Sequence, residues 1–170
     1  MNSKGNTEPS NSEDAFDAQI CIRAVEERDL PTLFHNQMDA EGNRMSFTVP
    51  RSREEFDTHW EKILKDPTVI VRAILLDSEL AGCVSCFRAD GVDSVGYWIG
   101  REFWGRGVAT NGLKLLLNEV STRPLHARVA VTNQGSIRVL EKCGFVLVSQ
   151  QHSAGAGRFL ECEEAFYELR

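Results

Sequence analysis

No run of apolar residues in this 170-residue chain is long enough to cross a bilayer. There is no excess of positive charge either: the formal net charge is -6, which argues against general nucleic-acid binding. Met1 is followed by neither a basic stretch nor an apolar one, so a secretory leader is not expected. The four histidines, His35, His59, His126 and His152, show no ligand spacing, and no metal is expected. The five cysteines lack framework spacing, which favours free thiols and a reducing, cytoplasmic setting. Cys83 and Cys86 form a CxxC with no second pair, and strand alternation would point them to opposite faces.

What remains is ordinary for a globular domain: 42% hydrophobic and 26% charged residues over a length that buries a real core. Residues 1–19 carry Lys4 against Glu8, Glu13, Asp14 and Asp17 and read as a disordered tail; residues 20–170 read as one domain. The charge is uneven. Residues 101–145 hold Arg101, Arg106, Lys114, Arg123, Arg128, Arg138 and Lys142 against only Glu102, Glu119 and Glu141. One basic segment in an acidic chain fits an anionic ligand, although ordinary helix-surface charge would look the same.

Taken in order, Ile20–Val25 alternates enough to start a strand. Asp29-Leu30-Pro31 then opens a helix that runs through Leu33, Phe34, Gln37 and Met38 towards Gly42. Ser52-x-x-Glu55 is a capping box for a second helix through Phe56, Trp60, Ile63 and Leu64, ended by Asp66-Pro67. Strands are predicted over about 69–76, 80–88 and 92–99, with hairpin turns between them. Leu125–Val131 reads as a buried strand. Phe145–Ser149 and Phe159–Leu169 form a last hairpin around Ser153–Gly157. Strands and helices in this mixed order predict an α/β fold with a mixed, largely antiparallel sheet.

The most informative stretch is Gly96–Val120. It reads as a strand, a loop holding Gly100, Gly105 and Gly107, and a helix with Ala109, Leu113, Leu116, Leu117 and Val120 on one stripe. Glycines before a helix N-terminus let backbone N–H groups turn outward, which makes an anion site suited to phosphate. It is not a Rossmann fingerprint, because Thr110 stands where the third glycine belongs, nor a P-loop, because Gly107-Val108-Ala109 replaces Gly-Lys-Ser/Thr.

Tyr97-Trp98-Ile99-Gly100 followed by Phe103-Trp104-Gly105-Arg106-Gly107-Val108-Ala109-Thr110 resembles the acyl-CoA pyrophosphate loop of the GNAT N-acetyltransferase superfamily. The likeness is greatest to its RimJ/RimL-like branch. Asn133-Gln134-Gly135-Ser136, leading to Cys143-Gly144-Phe145, is similar to the later motif of the same family. The resemblance implies a twisted sheet flanked by helices, whose central strands splay to form a cofactor cleft. It implies acetyl-CoA as co-substrate, no metal, and direct transfer of acetyl to a primary amine in a ternary complex. The acceptor would be a small molecule or a protein or peptide N-terminus, and a homodimer is plausible. Neither nucleic acid nor membrane is an expected partner.

By the same resemblance, Trp98, Ile99, Trp104, Gly105, Arg106, Gly107, Val108, Ala109, Thr110, Asn133 and Ser136 would bind the co-substrate. The pyrophosphate would lie on the backbone of 104–109, and a backbone N–H near 97–99 would stabilise the oxyanion. Asn133 would bond the pantetheine arm, cap the following helix, or do both. Many relatives carry a tyrosine where Leu140 stands here; in the RimJ/RimL-like branch the serine matching Ser136 protonates the thiolate instead. A serine there is equally an ordinary capping residue. The branch often places a carboxylate at the position of Ser94; Asp93 is adjacent but should face the other way, which leaves the general base unassigned. Glu102 also departs from the family's usual Gln or Arg. These departures keep open a non-catalytic acyl-CoA-binding domain as the alternative. Asp39, Glu41, Glu54, Glu55 and Asp57 lend the early helices an acidic lean that suits a cationic amine, or simply a solvated face.

Overall fold

The computed structural model describes residues 19–170. Of the expected tail only Gln19 falls within that range. Its N–H donates to Asp77 Oδ1 at 2.8 Å, tying the start of β1 (Ile20–Ala24) to the turn after β2 (Ile70–Leu76). Between those strands lie α1 (Leu30–Gln37), α2 (Ala40–Ser46) and α3 (Arg53–Lys65). β3 (Glu79–Ala89) and β4 (Val92–Ile99) follow, then α4 (Val108–Glu119), β5 (Leu125–Ala130), α5 (Gln134–Lys142), β6 (Val146–Ser153) and β7 (Cys162–Leu169). The seven strands form a single sheet in the order β1-β2-β3-β4-β5-β7-β6. Every neighbouring pair is antiparallel except β4 and β5, so the mixed, largely antiparallel sheet expected from the sequence is what forms.

The first helix departs from expectation. The predicted run to Gly42 breaks after Gln37, because Asp39 takes an extended conformation and its carboxylate accepts the Gly42 N–H at 2.6 Å, capping α2. A short acid one turn ahead of a glycine makes a better N-cap than an interior helix residue. The capping box at Ser52 and Glu55 forms as expected, with both reciprocal bonds present.

Each face of the sheet carries its own core. On one side Leu113, Leu116 and Val120 of α4 and Leu140 of α5 close over Ile74, Leu76, Val84, Cys86 and Val95. On the other, Leu33 of α1 and Phe56 and Trp60 of α3 pack on Val71, with Cys83 against them. The two CxxC cysteines thus belong to opposite cores, as strand parity requires. The buried stripe of α4 also includes Val108 and Gly112. A methyl on Gly112 would meet Ile74 Cδ1 at 2.4 Å, so the absence of a side chain lets helix and sheet approach. The last hairpin is longer on one strand than predicted: β6 reaches Ser153, and β7 starts at Cys162 rather than Phe159.

Candidate active site

The parallel pair β4 and β5 shares one register contact, Ser94 with His126. Beyond it the strands diverge, and past Val95 the edge of β4 has no further register partner on β5. The gap lies at the carboxyl ends of both strands, where α/β sheets characteristically receive ligands. It is roofed by α2, α4 and α5 and opens into a cleft of about 560 Å³. Trp98, Ile99, Trp104, Gly105, Gly107, Val108, Ala109, Thr110, Asn133 and Ser136 all line it, so the two sequence motifs come together in space. Arg106 does not line it. Its guanidinium lies over the Phe103 ring, 5.8 Å from the centroid, which leaves only its backbone for a ligand.

One end of the cleft is built for anions. Gly105 and Gly107 sit at φ 73° and 76°, a region that costs other residues strain, and Gly107 is the N-cap of α4 without a side chain to accept from the first turn. The first helical bond runs from Asn111 N–H to Gly107, and the N–H groups from Gly105 to Thr110 find no acceptor among the described residues. No acidic side chain occupies that turn. Six donors without a partner among the described residues, at the positive end of a twelve-residue helix, make an arrangement suited to phosphate.

Arg138 and Lys142, one turn apart on α5, add two charges to the wall. Among the described residues neither has an ion-pair partner. The rest of the basic segment is mostly engaged elsewhere: Arg101 with Asp39, Arg128 with Asp90, and Arg123 with the Val120 and Thr122 carbonyls.

Deeper in the cleft two hydroxyls meet. Tyr97 OH lies 2.6 Å from Ser136 Oγ and 3.2 Å from the Ser136 carbonyl oxygen. Asn133 fixes the serine by accepting its backbone N–H at 3.1 Å, which caps α5. That bond uses only the amide oxygen; the NH2 of Asn133, a residue of the cleft wall, has no acceptor among the described residues. Burial drives the Tyr97 phenol well above its ordinary pKa, so it remains a proton donor throughout the neutral range. Leu140, where other members carry tyrosine, is buried in the core at 1% exposure and cannot reach the cleft. The phenol arrives from β4 instead. Asp93 is paired with Arg88 at 3.2 Å in unbroken β3–β4 register and does not line the cleft, which agrees with the parity argument.

Opposite α4 and α5, the wall is Gly42, Met45 and Ser46 of α2 with Trp98. The indole of Trp98 donates to the Asn36 carbonyl at 2.9 Å and packs over Gly42, where a methyl would stand 3.0 Å from the ring. The acidic lean of this region is largely absorbed locally. Asp39 caps α2 and faces Arg101, Glu41 pairs with Arg44, Glu55 closes the capping box, and Asp57 pairs with Arg53. Sequence reasoning missed the Tyr97 side chain, the α2 wall and the cleft-facing role of Arg138 and Lys142. Tyr97 shares strand parity with Val95 and Ile99, but nothing local shows a hydroxyl contact 39 residues away.

The acetyltransferase (GNAT) domain model matches residues 19–146, about three quarters of the chain. The chain belongs to that family. As a GNAT member it is an acetyl-CoA-dependent N-acetyltransferase. Among curated proteins it is 31% identical over 142 residues to "Putative ribosomal N-acetyltransferase YdaF" of Bacillus subtilis (strain 168), covering 75% of this chain and 78% of that one. It is 30% identical over 108 residues to "Probable N-acetyltransferase YjcK" of the same organism, covering 58% and 60%. Among solved structures it superposes with TM-score 0.72 on RimL, the ribosomal L7/L12 α-N-protein acetyltransferase, in complex with coenzyme A; identity is 20%, and 88% of this chain and 93% of that one are covered. These relatives put the GNAT domain in the RimJ/RimL-like branch.

Proposed function

We propose that the cleft between β4 and β5 binds acetyl-CoA and delivers its acetyl group to a primary amine, either of a small molecule or at a protein N-terminus. One observation carries the reading. The unpaired N–H row from Gly105 to Thr110 and the Tyr97–Ser136 hydroxyl pair open onto the same cleft.

The N–H row and the α4 N-terminus hold the pyrophosphate, with Arg138 and Lys142 available to the remaining phosphate charge. The NH2 group of Asn133 donates to an amide carbonyl of the pantetheine arm. On the unpaired edge of β4, a backbone N–H near Ile99 stabilises charge developing on the thioester oxygen. The neutral amine attacks the carbonyl carbon directly, a carbon–nitrogen bond forms, and the carbon–sulfur bond breaks. Ser136 Oγ gives its proton to the leaving thiolate. Tyr97 makes that possible: by donating to Ser136 Oγ it leaves the serine proton free to turn to the sulfur, and it supports the alkoxide until solvent restores the proton. The excess proton of the amine leaves to water, since Asp93 is held by Arg88 away from the cleft.

A calorimetric titration with acetyl-CoA, repeated with coenzyme A lacking its 3′-phosphate, tests the binding half. Saturable one-site binding that weakens without that phosphate is expected, and amine-dependent thiol release then tests transfer. Absence of binding at millimolar ligand would overturn the reading.

A further inference from the structure

Beside the cleft lies a cluster of bases that the proposed chemistry does not use. The β6–β7 loop is stitched to the segment after α2: Leu160 N–H donates to Phe47 O at 2.7 Å, and Val49 N–H donates to Arg158 O at 2.8 Å. Arg158 Nε returns a bond to Val49 O at 2.9 Å, while its Nη2 is buried without a partner among the described residues. Two residues beyond Val49 stands Arg51, half-buried, with its guanidinium in no hydrogen bond or ion pair among the described residues. His59 approaches from α3, also half-buried.

These side chains act on one another. Burial, then Arg51 and Arg158, push the His59 imidazole down to about 4; burial, then Arg51, lowers Arg158 to about 10. Glu55, the carboxylate felt by Arg51, is engaged in the α3 capping box. Two guanidiniums and a neutral imidazole therefore share a partly desolvated site in which one buried N–H donor has nothing to bind.

Such an arrangement is unfavourable in isolation and becomes favourable when an oxyanion fills it, because a guanidinium fork binds carboxylate or phosphate with charge-assisted bonds. The site follows the α2 wall of the cleft along the chain. Ser46 lines the cleft, and Val49 lies three residues on, roughly 10 Å of extended chain. The exposed Phe159 ring, 5.7 Å from the Arg158 guanidinium, supplies an apolar flank.

We propose that Arg51, His59 and Arg158 form a pocket for an oxyanion, carboxylate or phosphate, carried by the acceptor of the acetyl group. This rests on the acetyltransferase reading and narrows it: the preferred amine belongs to an acidic molecule, such as a peptide with an acidic residue shortly after its N-terminus. It also reverses the expectation that the acceptor region is acidic.

The test is binding to the full chain saturated with coenzyme A, which cannot transfer. The probes are tetrapeptide amides beginning with serine, with Glu or phosphoserine at the second, third or fourth position, each matched by its Gln counterpart. Binding is read by calorimetry and by the His59 imidazole resonances. At least one acidic peptide is expected to bind ten-fold or more tightly than its Gln match and to shift His59. Arg158→Gln and, separately, Arg51→Gln are expected to remove that advantage while coenzyme A affinity is retained. Arg51→Gln guards against a folding defect, since the Arg51 side chain makes no hydrogen bond. Equal binding of every matched pair, no peptide binding, or an advantage that survives both substitutions would overturn the proposal. Failure of the acetyltransferase reading is separately visible as failure of coenzyme A to bind.

Discussion

Leu140 and Tyr97 together show how a GNAT domain with leucine at this α5 position still places a phenol in its candidate cleft. The α5 position is surrendered to core packing, and a side chain from β4 reaches across to Ser136. If Ser136 is the proton donor, Ser136→Ala lowers kcat on the order of 100-fold, the scale of lost general acid catalysis, and leaves the acetyl-CoA Kd within about two-fold. Tyr97→Phe keeps the ring and removes only the hydroxyl. It is expected to lower kcat by about ten-fold or more and to cost roughly 1 kcal/mol of stability for the lost buried bonds. Thiol-release kinetics and denaturant melts of both variants check these values. Ser136 was singled out through its motif, with capping as the other reading, whereas the Tyr97 hydroxyl was not, because its contact lies 39 residues away.

The elements that hold the site are specified by single small residues. Gly112→Ala would set a methyl 2.4 Å from Ile74 Cδ1. It is expected to destabilise the fold by about 1–3 kcal/mol, the cost of overpacking a filled core. Ile74→Val in the same chain should recover part of that loss, because the clashing Cδ1 is removed. Gly107→Ala tests the loop. With φ at 76°, an added methyl is strained by roughly 1–2 kcal/mol, and acetyl-CoA affinity should drop more than stability does, since the strained residue is the cap of the anion site. At this scale the sequence was most readable where backbone chemistry is local. The capping box, the glycine turn and the α4 stripe all form from neighbours within a turn or two. The break between α1 and α2 was missed because Asp39 was read as a helix residue, when its carboxylate fits the N–H of Gly42 better. The basic pocket was invisible for the opposite reason. Arg51 and Arg158 are 107 residues apart in number, and only the pairing of Val49 with the β6–β7 loop brings them together.

Across the whole molecule, pH and ligand act through the same few groups. His59 carries a folded pKa of about 4 against an ordinary 6.5, so the unfolded chain binds the proton more readily between those values. Its neutral form in the fold contributes stability that is fully present above pH 6.5 and lost as pH falls towards 4. Melts of wild type and His59→Gln over that window are expected to diverge, the wild type losing stability more steeply. The mixed, largely antiparallel character of the sheet was predictable from the alternation of strands and helices; its strand order was not. The divergence of β4 and β5 was expected only through family likeness, because no residue pattern within either strand announces that it lacks a neighbour.

Because a single register pair joins β4 to β5, the two halves of the sheet, β1–β4 and β5-β7-β6, share few backbone rungs. Acetyl-CoA seated in the gap would take the place of the missing rungs. At 100 times its Kd such a ligand adds about 2.7 kcal/mol to the stability of the fold, read as a rise in Tm. It should also slow amide exchange along Val95–Ile99 more than along β2 or β3, whose rungs are complete. The substrate then serves as a structural member of the sheet, and each turnover leaves the enzyme briefly more open than it was before.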